Sequence, residues 1–156
     1  MEADCGFPNT PQNSGAGLLV LLGPTILVDI GFDASYKPDA IPRTSPIASV
    51  NGIQALIDTG AQESCIDNQL ATELGLPIVD RRGIAGAGGV HITNVYLAQI
   101  SFPSLGATIY GPFCGVDLVA GGQNHKAFVG RTFLKNFVMV YDGTTGAVKI
   151  SKPAPL

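Results

Sequence analysis

A chain of 156 residues fits one domain with a real core and leaves little room for two. Apolar residues make up 46% and charged residues only 13%, so Gly, Ser, Thr, Asn and Gln must build much of the surface, and some apolar surface is expected to meet a partner. A net charge of -3 with no basic run excludes the electrostatic footprint of a nucleic-acid binder, and three scattered cysteines without a CxxC argue against a zinc site or a disulfide framework.

Residues 1 to 15 are acidic and polar, unlike a signal peptide, and read as a flexible N-terminal arm ahead of a single domain over 16–156. The apolar stretch that follows is interrupted by Gly23-Pro24 and is too short to span a membrane, so it reads as two buried strands or a strand and its lead-in. No membrane contact is expected, and a reducing, cytoplasmic location fits the cysteine usage. "TILVDIGFD" (25 to 33) is a strand, and the three prolines of 34–46 mark a loop. Asn51-Gly52, between two apolar runs, predicts a hairpin whose second strand ends at Asp58. "DNQLATELGLP" (67 to 77) predicts a short helix capped by Asp67 and stopped by Gly75 and Pro77. From 81 to 102 a glycine-rich tip runs into alternating apolar positions, a strand pattern. Further strand is expected in "ATIYGPFCGVDLV". The segment 128–150 should give a short strand, a helical turn, a strand, a turn at Asp142 to Gly146 and a last strand. The sum is all-β with one or two short helices.

Three separated pieces carry the candidate chemistry. An apolar strand runs into "DTGA" at Asp58. A glycine-rich tip, "IAGAGGV" (84 to 90), follows a short helix. Near the C-terminus an apolar strand leads into "GR" and a helical turn in "FVGRTFL" (128 to 134). In this order and spacing they resemble the retropepsins, the single-lobe aspartic proteases of retroviral type, and most of all their cellular and bacterial members. The resemblance covers roughly 46–150.

It implies a closed acid-protease barrel working as a symmetric homodimer. A water would be activated between two Asp58 carboxylates, one per subunit, because the chain holds a single "DTG". Peptide or protein would be the substrate, and no metal or other cofactor is implied. Thr59, Gly60 and Arg131 would support the active-site loop, with Arg131 buried against it. Gly60, Ala61 and Gln62 would line the substrate, together with a flap made of Ile84, Ala85, Gly86, Ala87, Gly88 and Gly89. Gly86, Gly88 and Gly89 are expected to need positive φ or close backbone approach. Retroviral enzymes carry an aspartate where Gln62 stands, so Arg131 must find Glu63, Asp67 or backbone carbonyls. Other readings stand beside this one. Asp58-Gly60 is a plain turn if isolated from the other motifs. The same fold could be an inactive dimeric module that binds peptides, or a ligand-binding barrel. A phosphate loop fails because no lysine and no helix follow the glycines. Cys65 is expected to pack near the loop. Cys5 and Cys114 are read as incidental, His91 as a solvated face residue, and Asp142 as a simple turn.

Overall fold

The computed structural model describes residues 1–155. A first strand, β1 (Glu2–Asp4), is followed by helix α1 (Gly15–Leu22), β2 (Thr25–Gly31) and β3 (Val50–Ile57). After these come β4 (Cys65–Asp67), α2 (Asn68–Glu73), β5 (Ile78–Gly86) and β6 (Gly89–Phe102). A 3-10 turn at Pro103–Leu105 leads into β7 (Ala107–Val116), and β8 (Ala127–Val129), α3 (Arg131–Leu134), β9 (Val138–Asp142) and β10 (Ala147–Ser151) complete the chain.

Six strands close into a ring in the order β2-β3-β8-β4-β7-β6, with β6 pairing back onto β2, and β5 hangs on the outer side of β6. Closure removes the free edges that an open sheet would leave for aggregation. Two of the pairings, β3 with β8 and β4 with β7, are parallel. Alternation fills the interior: Ile26, Val28 and Ile30 of β2 are buried while Leu27 between them is exposed. Ile100 and Phe102 of β6, Ile66 of β4 and Val129 of β8 are fully buried in the same core. Phe133 of α3 stacks on Phe102 with ring centroids 4.1 Å apart, which ties the short helix to the barrel. A second sheet, β1-β10-β9, packs Val148 and Ile150 inward.

Four expectations need correction. Residues 1 to 15 are not a structureless arm: Glu2–Asp4 pair antiparallel with β10, Ala3 and Cys5 are buried, and the Cys5 N–H donates to Val148 O at 2.8 Å. The partner strand lies at the far end of the chain, so no local pattern announces it. The apolar run before Gly23 is a helix rather than a strand. Ser14 caps it by accepting from Gly17 N–H, and Gly23, at φ 72°, ends it. Leucines favour a helix intrinsically, and an apolar surface on every side hides the periodicity that would reveal one. That makes three short helices, not one or two. Asn51-Gly52 does not turn a hairpin either. Gly52, at φ 68°, sits inside β3 opposite a register shift in β2, and its N–H donates to Asp29 Oδ1 at 3.0 Å. A bulge asks for a left-handed glycine just as a tight turn does.

The helix expected after Asp67 is present. Its carboxylate accepts from Leu70 N–H, as the capping residue type requires. The strand, helical turn and strand pair from 127 to 151 also lie where expected. Among the described residues no helix is long and apolar enough to cross a membrane.

Candidate active site

Asp58 follows β3 directly. Parallel pairing carries Ala55, Leu56 and Ile57 alongside Ala127, Phe128 and Val129, and the Asp58 N–H extends that ladder to Val129 O at 2.9 Å. The chain then turns tightly. Gly60 N–H donates to Asp58 Oδ1 at 2.9 Å, and Ala61 N–H donates to Asp58 O at 3.2 Å. Asp58 is half-buried, whereas Thr59 and Gly60 are exposed. Among the described residues its second oxygen, Oδ2, accepts no protein hydrogen bond, so it is open to an outside donor.

The start of α3 holds this loop from behind. Gly130 N–H donates to Ser64 Oγ at 3.1 Å, Arg131 N–H to Ala61 O at 3.0 Å, and Thr132 N–H to Gln62 O at 3.0 Å. The unpaired N–H groups of a helix start are thus satisfied by the loop. The Arg131 guanidinium adds a bond of 2.7 Å from Nη1 to Thr59 O. Gly130 is required by contact: a Cβ there would lie 2.5 Å from Glu63 O. Arg131 itself is exposed, not buried, and of the three partners open to it, it takes a backbone carbonyl. Gln62 offers no charge, Glu63 pairs with Arg82, and Asp67 accepts from backbone N–H groups.

β5 and β6 form the glycine-rich hairpin, with Gly86 opposite Gly89 and Ala87-Gly88 at the tip. Of the three glycines only Gly89 has positive φ, at 104°. Gly86 would meet nothing if given a Cβ, and at Gly88 the nearest atom is His91 Nε2 at 3.6 Å. Arg82 of β5 reaches back to the loop, with Nη1 3.3 Å from Glu63 Oε2. Both side chains are about half exposed, so the pair orients more than it stabilises.

Two cavities flank the hairpin. One of about 320 Å³ is lined by Ile84, Gly86, His91, Ile92 and Thr93 together with Asn68, Gly115, Val116 and Asp117. The other, about 210 Å³, is lined by Glu63, Ser64, Arg82, Thr132 and Ile109 to Phe113. The chain therefore brings Asp58, Thr59, Gly60, Ala61 and Gln62 together with Arg131. It places the hairpin residues Ile84 and Gly86 on a cavity that Asp58 does not line. Ser64, Arg82 and the Asn68–Asp117 bond of 2.8 Å were not singled out from sequence, and Glu63, one of the expected partners of Arg131, pairs with Arg82. Of the missed residues only Ser64, three positions after "DTGA", carried a positional hint.

A family model described as aspartyl protease matches residues 47–131, more than half of the chain. The chain belongs to the aspartyl protease family. The matched span runs from just before β3 to the first residue of α3, and so contains the Asp58 loop, the hairpin and the "GR" segment that braces the loop. No curated protein matches the chain. Among the described residues no group of three or more His, Cys, Asp or Glu side chains is gathered as metal ligands.

Proposed function

We propose that this aspartyl protease is an endopeptidase whose catalytic centre forms when two copies of the chain pair, each supplying Asp58. The observation that carries the reading is the loop itself: one half-buried carboxylate per chain, with Oδ1 held by Gly60 N–H and Oδ2 open, on a turn braced by four hydrogen bonds from Gly130, Arg131 and Thr132.

Two carboxylates brought to about 3 Å cannot both ionise, so the pair shares one proton. The ionised Asp58 takes a proton from a water lying between them. The protonated partner donates to the carbonyl oxygen of the scissile bond while the water oxygen attacks the carbonyl carbon. That proton traffic then reverses to the leaving nitrogen. Gly60 and Ala61 offer backbone groups beside the dyad, and Thr59 braces the two loops. The hairpin 84–89 covers the bound peptide as an added strand, with Gln62 at the edge of the cleft. A cleft completed only by pairing would account for Asp58 lining neither of the two cavities that flank the hairpin.

Asp58→Asn tests the reading because it keeps shape and hydrogen bonding while removing the charge. Hydrolysis of a peptide library should fall to background while the dimer and its thermal midpoint persist. The wild-type rate should be bell-shaped in pH and higher below neutrality than above it. Peptides bound without being cut would mark a binding module instead. A folded Asp58→Asn dimer that still cuts at a comparable rate would remove Asp58 from the chemistry.

A further inference from the structure

Cys65 opens β4 and Cys114 lies in β7, and the two are register partners on parallel neighbouring strands. Register partners project to the same face of a sheet. Both thiols are free, Cys65 half-buried and Cys114 buried. Neighbouring strands lie about 4.8 Å apart, inside the ~4.4–6.8 Å range of Cα separations that a disulfide spans. Arg82 stands beside the pair, with Nη1 4.0 Å from Cys114 Sγ. Cys65 immediately follows the loop that carries Asp58 and Ser64.

We propose that Cys65 and Cys114 form a reversible thiol–disulfide site linking β4 to β7 beside the Asp58 loop. Cys114 is the better nucleophile of the two. Burial raises its thiol, but the Arg82 charge acts against that rise. Burial and the nearby Cys114, Glu63 and Asp58 push the Cys65 thiol up to about 12. With oxidised glutathione as the oxidant, the Cys114 thiolate attacks one glutathione sulfur and releases one glutathione thiolate. Cys65 then gives up its proton and attacks the Cys114 sulfur, releasing the second glutathione. Two protein thiols are oxidised to one disulfide, and one glutathione disulfide is reduced to two thiols. Exchange is slow at neutral pH and speeds up as pH rises, since the thiolate is the attacking form. Parallel register partners hold their Cβ atoms near the strand spacing, wider than the ~3.8 Å mean of a relaxed bridge. Closure therefore draws β4 toward β7, and a bridge under such tension is readily reduced again.

The whole chain, incubated with oxidised glutathione at mildly alkaline pH and mapped without reduction, should yield the Cys65 peptide joined to the Cys114 peptide. The product should remain a single chain on a denaturing non-reducing gel, Cys5 should remain a thiol, and dithiothreitol should reverse the bond. Cys65 and Cys114 left as thiols, each carrying only glutathione, or joined between chains would overturn the site. The linked peptide decides this without reference to catalysis. The consequence for peptide cutting, a slower rate in the oxidised form, rests on the proposed function. A linked peptide from a protein that cuts nothing in either state would sink that function and leave the site standing.

Discussion

The Asp67 carboxylate accepts three backbone N–H groups: Leu70 at 3.1 Å on Oδ2, with Leu118 at 2.9 Å and Val119 at 3.1 Å on Oδ1. It is 1% exposed and joins α2 to the loop after β7. Asp67→Asn must turn its amide toward one of these donors, so it should lower stability by about 2–3 kcal/mol, read from the urea midpoint. The sequence could show the helix cap but not the two long-range donors, because Leu118 and Val119 lie far along the chain. His125 is a second buried polar side chain, 3% exposed. Thr25 Oγ1 donates to Gly23 O, so it accepts from His125 Nε2–H at 2.7 Å, and Nδ1 is left without a partner. Burial holds this imidazole below its ordinary value of 6.5. Above that value neither state carries the proton and the full stability is present. As pH falls below it, the unfolded chain binds a proton that the folded one refuses, and stability is lost down through the folded value. His125→Gln keeps a donor for Thr25 and removes the titration. Its urea midpoint should fall less than that of the wild type between neutral and acid pH, and equal slopes would acquit His125. Arg131 shows the limit of local reading in another way. The motif identifies the arginine, but only the fold shows Thr59 O at the end of its reach.

Among the elements, the start of α3 does most to set the loop's shape. Gly130→Ala would drive a Cβ against Glu63 O, 2.5 Å away, and Glu63 C, 2.6 Å away, and both are backbone atoms that cannot swing aside. It should cost about 1–3 kcal/mol by forced displacement, and it should reduce peptide hydrolysis more than an equally destabilising change far from the loop. Differential scanning calorimetry beside a rate measurement separates the two effects. The elements legible in the sequence were those whose signals are short and self-contained: the Asp67 cap, the Gly86 to Gly89 hairpin tip and the Asp142 turn. At the last, Asp142 Oδ1 accepts from Thr144 Oγ1 at 2.6 Å, which holds the carboxyl below its usual range. Elements that depend on a distant partner were misread. α1 is apolar on faces that the sequence alone cannot assign: Leu19 is buried while Val20 is 85% and Leu21 77% exposed. Asn51-Gly52 offers the backbone freedom of a turn, but the choice between turn and bulge is made by β2, which lies across it.

At the scale of the molecule, a low charge content leaves apolar side chains outside the barrel. Val90 and Ile92 are each 72% exposed on the hairpin, and Val140 is 62% exposed on β9. Sedimentation at micromolar concentration should therefore give twice the 16.1 kDa mass of one chain. A strict monomer that hydrolyses peptides would rule out a carboxylate pair shared between copies. The mostly β architecture was legible from glycine and proline spacing and from alternation. The parallel pairings and the order of strands around the ring were not, because they are fixed by contacts between segments far apart in sequence. That ring has a kinetic meaning. β2 is made early, yet its second neighbour, β6, is laid against it through Asp29 to Ser101, Ile30 to Ile100 and Gly31 to Gln99. On a ribosome, Val28 and Ile30 emerge well before the strand that will cover one side of them. Topologies dominated by such distant pairings fold on a scale of about milliseconds to seconds. The nascent chain thus carries an unpaired, β-branched edge for the whole time that β3, β4, α2 and β5 are being synthesised. In that interval it is a natural client for chaperones, and a point where slow translation favours correct closure.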